Sequence, residues 1–267
     1  MSDKAVEFTK DHIDLYFKEL SKEYKRLGGR KTPVEIVLIG GAAIIERYGF
    51  RNMTTDIDAI IPAMGIMNDA INHVGDRFGL PNGWLNADFM RTSSYSPKLS
   101  ACSKPYRTFN QVLNVRTVSG EYLIAMKLKS GREYKNDLSD IIGILAEHEM
   151  QNDPITFEKI TEAITNLYGG LNEIDERAVS FIKAVFDNSS FEKMYAAIRE
   201  SEQNTKSMLI AFEEKYPGVL GEENVDSVIE NTTEKSESKV SVRATLEMLK
   251  KQQTMEKQKN EKERDGR

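Results

Sequence analysis

Val34-Glu-Ile-Val-Leu-Ile-Gly40-Gly41-Ala42 and, after a polar turn, Thr54-Thr55-Asp56-Ile57-Asp58-Ala59-Ile60-Ile61 are the stretches that decide how this chain is read. The β-branched run from Val34 to Ile39 predicts a strand. Two glycines then turn the chain into a short helix, Ala42 to Tyr48, which Gly49 stops. Ile57 to Ile61 predicts a second strand, entered through Asp56 and closed by Pro62. Residues i and i+2 of a strand share a face, so Asp56 and Asp58 project together. Two such carboxylates repel, and a divalent hard cation resolves the repulsion. Mg²⁺ suits an oxygen site of this kind, completed by phosphates and water. Gly40-Gly41 at a strand-to-helix turn lets backbone N–H groups approach an anion. Each half alone has an ordinary reading, as solvated aspartates at a strand end and as a tight turn. Together they set a phosphate-sized cradle beside a metal-sized carboxylate pair. The pattern is neither a dinucleotide fingerprint nor a Walker loop, having no third glycine at the required spacing and no Gly-Lys-Ser/Thr.

Around this centre the periodicity predicts an amphipathic helix over 4–27 and another over 64–78, ended by Gly79. Residues 84–89 and 112–118 are weaker strand candidates on either side of a Ser/Pro/Lys-rich loop. From Gly120 the pattern is helical: 121–130, 137–149, 156–168, 173–186 and 191–216. Residues 222–238 are polar and acidic, the composition of a flexible linker, and 240–264 reads as an exposed helix or tail. The fold class expected is α/β (α+β), a mixed sheet with flanking helices followed by a helical domain. The expected division is 1–150, 151–218 and 219–267.

The chain has 267 residues and a net charge of −5, with 30% charged and 39% hydrophobic residues. That length can bury a sizeable core. No apolar run approaches the roughly 20 residues that span a bilayer, and the first residues lack a signal peptide's apolar stretch. A single cysteine, Cys102, excludes an internal disulfide, and the three scattered histidines, His12, His73 and His148, give no zinc cluster. These features predict a cytoplasmic protein with no membrane partner. Net acidity argues against a general nucleic-acid coat, yet residues 91–135 carry nine Lys/Arg against two acids. Such a segment reads either as a local anion site or as a solvated face whose counter-charges come from elsewhere in the fold. Trp84, Tyr95, Tyr106 and Arg107 allow contacts to a base or polynucleotide, or ordinary packing.

A third element is Leu123-Ile-Ala-Met-Lys127, followed by Arg132, Lys135, Asp137 and Asp140. On a helix Asp137 and Asp140 share a face. Cations just upstream suit phosphate oxygens, and a carboxylate there suits deprotonation of a hydroxyl. The alternative is a plain helix with a favourable N-terminal charge and surface ion pairs.

Ile39-Gly40-Gly41 followed by Asp56-Ile57-Asp58 resembles the polymerase-β-like nucleotidyltransferase signature. With Tyr48-Gly49-Phe50-Arg51, Thr54-Thr55 and the run from Ala125-Met126-Lys127 through Arg132 and Lys135 to Asp137-Leu-Ser-Asp140, the chain looks like the bacterial AbiEii-type branch. That branch includes toxins of type IV abortive-infection systems and the MenT toxins. The resemblance covers roughly residues 34 to 145. It implies that Gly40, Gly41, Thr55, Arg132 and Lys135 hold an NTP, and that Asp56 and Asp58 bind Mg²⁺. It further implies that Lys127 contacts the nucleotide and that Asp137 or Asp140 is the base. A third strand carboxylate, usual in many relatives, has Asp88 as its nearest candidate, and Asn136 separates Lys135 from Asp137. The reaction implied is transfer of a nucleoside monophosphate to an acceptor hydroxyl. By the same resemblance the acceptor is tRNA and the partner a cognate antitoxin protein. Modification of a small antibiotic-like molecule and a non-catalytic partner-binding role are the alternatives.

Overall fold

The computed structural model describes residues 6–62, 65–132, 135–188 and 190–221, with 224, 225, 227–229, 231 and 251 beyond them. Two compact units are formed: Met1–Ser130 with Glu158–Glu173, and Gly131–Phe157 with Ile174–Arg267. The sequence expectation divides the chain after 150 and 218. The units instead divide at 130 and return the segment 158–173 to the first.

In the first unit, α1 (Lys10–Arg26) precedes β1 (Val34–Leu38), α2 (Gly40–Arg47), β2 (Ile57–Ile60), α3 (Gly65–Phe78) and β3 (Leu85–Asn86). Then come β4 (Ser103–Phe109), β5 (Leu113–Val118) and α4 (Gly120–Ser130), and α6 (Phe157–Tyr168) belongs here from Glu158 onward. The five strands form one mixed sheet in the order β3-β2-β1-β5-β4. The central β1 is antiparallel to β2 and parallel to β5. This bears out the expected mixed sheet with flanking helices.

α1 starts at Lys10, later than expected, because Thr9 caps it by accepting from the His12 N–H at 3.4 Å and Phe8 is held in a β-bridge. Residues 4 and 5, and Met64 at the start of the expected 64–78 helix, lie outside the described residues, as does nearly all of the 222–264 tail. α1 buries Ile13, Phe17, Leu20 and Tyr24, one stripe at helical spacing. Strand β4 lies inside the segment expected as a loop. Only its first and last residues are buried, so it has no apolar alternation to read. It is an edge strand carrying Pro105 and a bulge between Pro105 and Arg107. Its turn into β5 leaves three residues between the paired Phe109 and Leu113, with Asn110 at φ 46° and Gln111 at φ 62°, and the Val112 N–H donates to the Phe109 carbonyl at 3.1 Å. Past β3, residues expected to stay extended to 89 become a 3₁₀ turn, Asp88–Arg91.

The second unit holds α5 (Asp137–Met150), α7 (Glu176–Phe186) and α8 (Phe191–Lys215), with α5 packed on α8. α7 begins later than the expected residue 173 because Asp175 caps it, accepting from the Arg177 N–H at 2.8 Å. Phe186 stands edge-on between Phe157 and Phe191, with centroids 5.8 and 5.9 Å away. Among the described residues no helix is long and apolar enough to cross a membrane.

Between α1 and α3, Glu23 is buried and accepts from Arg26 and from Arg77 at 3.1 Å, with His73 2.7 Å away. The Arg26 guanidinium, helped by His73 and Arg77, holds this carboxyl down at about 2 against the opposing effect of burial. The unfolded chain therefore takes up this proton at higher pH than the folded one. The contribution is complete above about 4.5 and is lost as pH falls toward about 2. Glu23→Gln should lower unfolding free energy at pH 7 by about 1–2 kcal/mol and flatten the acid limb of the stability curve. Urea titrations at pH 7 and pH 3 check this. An equal loss at both pH values would rule out the assigned cause.

Candidate active site

The site begins where β1 ends. The Ile39 N–H donates to the Asp58 carbonyl at 3.1 Å, and the next residue, Gly40, opens α2 at φ 56°. That backbone suits glycine, and a Cβ there would lie 3.6 Å from Asp58 Oδ2. Gly41 is constrained differently. A Cβ at Gly41 would lie 2.5 Å from Thr54 Oγ1 and 2.9 Å from an Arg51 Nη. The room above Gly41 is thus filled by the chain's own atoms. Thr54 Oγ1 in turn donates to Asp56 Oδ1 at 3.2 Å. Thr54 is fixed from behind by Phe8: Phe8 N–H donates to the Thr54 carbonyl at 2.7 Å, and Thr54 N–H returns a bond at 3.0 Å. Arg51 Nε donates to the Met53 carbonyl at 3.1 Å, which directs its guanidinium toward the glycine pair. Gly40, Gly41, Asp56 and Asp58 therefore meet at one place. Sequence reasoning assigned no role to Thr54 or Arg51, which it noted only as parts of the resembling stretch. Thr55 lies in an exposed bend between Thr54 and Asp56.

On β2 the apolar residues Ile57 and Ala59 are fully buried, while Asp58 is half-buried and Asp56, just before the strand, is exposed. The neighbouring strand offers no further acid. Asn86 stands opposite Asp58, its Oδ1 accepting from the Asp88 N–H at 2.9 Å and its Nδ2 donating to the Gly83 carbonyl at 3.2 Å. Asp88 itself is exposed on the following 3₁₀ turn. Among the described residues no group of three or more His, Cys, Asp or Glu is placed to hold a metal. Two hard carboxylates beside a helix start still fit Mg²⁺, which is commonly held by one or two carboxylates with substrate phosphates and water completing the shell.

The third predicted element is divided between the units. Lys127 lies on α4 of the first unit and is buried. Arg132, Lys135, Asp137 and Asp140 belong to the second. There Arg132 Nε pairs with Asp137 Oδ2 at 3.0 Å, and Lys135 is exposed. Asp137 and Asp140 are buried in the first turn of α5, where a plain solvent-facing helix would leave them exposed. Glu202 of α8, which sequence reasoning missed, reaches this turn. Its Oε1 accepts from the N–H groups of Leu138 and Ser139 at 3.0 and 3.1 Å.

Much of the basic segment is engaged within its own fold. Arg107 pairs with Asp14 at 2.6 Å, and Arg116 approaches Glu35 at 3.6 Å and bonds Ser103. Lys98 donates to the Asn166 carbonyl at 2.5 Å, and Lys129 donates to the Glu173 carbonyl and lies over the Tyr168 ring. Arg91 and Lys104 remain exposed. Trp84 is core: it is buried and its Nε1 donates to the Ile71 carbonyl at 3.0 Å. Tyr95 packs edge-on against Phe89, and Tyr106 donates to Asp14 at 3.4 Å.

A mixed sheet whose central strand runs through a glycine pair into a helix, beside a strand led by Asp-x-Asp, defines a nucleotidyltransferase-like fold. The family described as nucleotidyltransferase of unknown function (DUF6036) matches residues 16–188, and the chain belongs to that family. No curated protein and no solved structure matches the chain.

The packing over Gly41 gives a specific expectation. Gly41→Ala should displace Thr54 and destabilise the protein by about 1–3 kcal/mol, since Thr54 is buried and has little room to yield. Thr54→Ala removes the nearest clashing atom, so Gly41→Ala should cost less in that background than alone. Equal costs in the two backgrounds, measured by chemical denaturation, would refute the contact.

Proposed function

We propose that this chain transfers a nucleoside monophosphate from an NTP to an acceptor hydroxyl with Mg²⁺. The observation that carries the reading is the convergence of the glycine pair with Asp56 and Asp58 at the start of α2. Asp56 and Asp58 would hold the metal, and bound Mg²⁺ supplies charge neutralisation at the phosphates. The Thr54 hydroxyl holds Asp56 in position, and Lys127, with Gly40, Gly41, Thr55, Arg132 and Lys135, is assigned to the nucleotide. The acceptor oxygen bonds to the α-phosphorus as the bond to the bridging oxygen of the β-phosphate breaks. Pyrophosphate leaves, and the hydroxyl proton passes to a carboxylate, for which Asp137 and Asp140 are the candidates.

The finer reading is an AbiEii-like toxin that modifies tRNA and is held in check by a cognate antitoxin. It is supported by the matching run from Lys127 through Arg132 to Asp140. A second reading is supported by the internal engagement of Arg107, Arg116, Lys98 and Lys129, which leaves less free positive charge for a polynucleotide. It makes the acceptor a small cationic molecule such as an aminoglycoside, suited to a net charge of −5.

Incubation with each α-labelled NTP, Mg²⁺ and either bulk tRNA or an aminoglycoside panel separates these readings. Label is expected on tRNA with the wild type, and at under about 1% of that level with Asp58→Asn. Label on the small molecule alone would select the second reading. No label on any acceptor with any NTP would refute nucleotidyl transfer.

A further inference from the structure

Glu202 is a buried acid with a specific task and no place in the mechanism above. It lies on α8, 14 residues beyond the last residue of the family match. Only 3% of the residue is exposed. Its Oε1 accepts two consecutive backbone N–H groups, those of Leu138 and Ser139, in the first turn of α5. Those amides have no partner inside a helix, and Asn136, at the cap position, makes no side-chain capping bond. A carboxylate from another helix therefore does the work that a capping residue does in most helices. Among the described residues, Oε2 of Glu202 has no hydrogen-bond partner. Placing an acid there costs free energy unless the two N–H contacts and the helix end compensate it.

The same turn carries Asp137 and Asp140, both buried, with Asp140 fully so. Leu138 and Ser139 are the residues between them. Glu202 thus grips the backbone midway between the two carboxylates. Burial pushes its own carboxyl up to about 7; the Asp140 charge adds to this, and Ser139 and the two backbone N–H groups oppose it. A neutral side chain with an oxygen in the same place is therefore an acceptable substitute near neutral pH.

We propose that Glu202 is a positioning residue, which fixes the first turn of α5 and through it the carboxylates of Asp137 and Asp140. The grip on the turn stands on the geometry alone, and its consequence for catalysis rests on the transfer reading above. Two substitutions separate position from charge. Glu202→Gln keeps an oxygen at the Oε1 position without the charge. Glu202→Asp keeps the charge but withdraws the oxygens by one methylene.

The experiment pairs two readouts on the full-length protein. The first, without nucleotide, is amide hydrogen exchange at Leu138 and Ser139. The second is the kinetics of label transfer, normalised to folded protein. Glu202→Gln is expected to keep both amides protected and kcat within about threefold of wild type. Glu202→Asp is expected to speed exchange at both amides and lower kcat by roughly tenfold or more, with KM for the NTP within twofold. Unchanged exchange in Glu202→Asp overturns the proposal, as does loss of protection in Glu202→Gln. Faster exchange with an unaltered kcat overturns the catalytic consequence. If wild type and Asp58→Asn are equally silent with every NTP, the transfer reading fails, and the exchange data still decide whether Glu202 holds the turn.

Discussion

One backbone hydrogen bond, from Ile39 N–H to the Asp58 carbonyl, sets the geometry on which the candidate site depends. It extends the antiparallel register of β1 and β2, in which Val37 faces Ile60 and Leu38 faces Ala59, by one step past the end of β1. At that step the first strand becomes a helix and the second presents a carboxylate. The register is guarded by side chains that take no part in chemistry. Ile57 and Ala59 are fully buried, so a slip of one residue would drive Asp58 into the core and expose both of them. The hydrophobic pattern of β2 thus holds the aspartate where it is, and the bond to Ile39 brings Gly40 up against it.

The elements that carry this geometry could be read in advance because their signals are local. Val34 to Ile39, the glycine pair and the alternation from Asp56 to Ile60 each state their own conformation, and α6 and α7 have regular apolar stripes. The unread elements depend on partners distant in sequence. Strand β4 buries only Ser103 and Phe109, so its identity comes from pairing with β5 rather than from its own pattern. Its turn uses Asn110-Gln111 where Asn-Gly would have announced a hairpin. Within the site, Asp56 and Asp58 could be named from spacing. The hydroxyl of Thr54 and the guanidinium of Arg51 could not, since what singles them out is their approach to Gly41 across a folded loop. Glu202 is one of several glutamates along α8, distinguished from the others near it by burial and by whose amides it meets.

Charge shows the same limit. The cationic surplus of residues 91–135 is visible at a glance, but its meaning depends on where the counter-groups sit. Asp14 comes from α1, Glu35 from β1, and the carbonyls of Asn166 and Glu173 from a segment beyond the surplus itself. Folding converts a run of like charge into a set of separate local pairings. In contrast, the acids in the first turn of α5 are drawn inward, where Arg132 pairs with Asp137, and Glu202 of α8 meets two amides of the same turn.

The first unit is not one continuous stretch of chain: it closes only when 158–173 joins 1–130. Within it the Leu167 carbonyl takes the Ser96 hydroxyl at 3.2 Å, the Tyr168 hydroxyl reaches the Ser94 carbonyl at 2.7 Å, and Asn166 meets Tyr122 at 2.9 Å. During synthesis the sheet and its aspartates leave the ribosome well before the helix that completes their unit. Order of emergence and order of assembly therefore differ. The nascent sheet must wait, with the faces beside Ser94 and Ser96 uncovered, while the intervening 131–157 is made. A discontinuous unit of this kind delays its own completion until the whole of the second unit's first helix, α5, has also been synthesised.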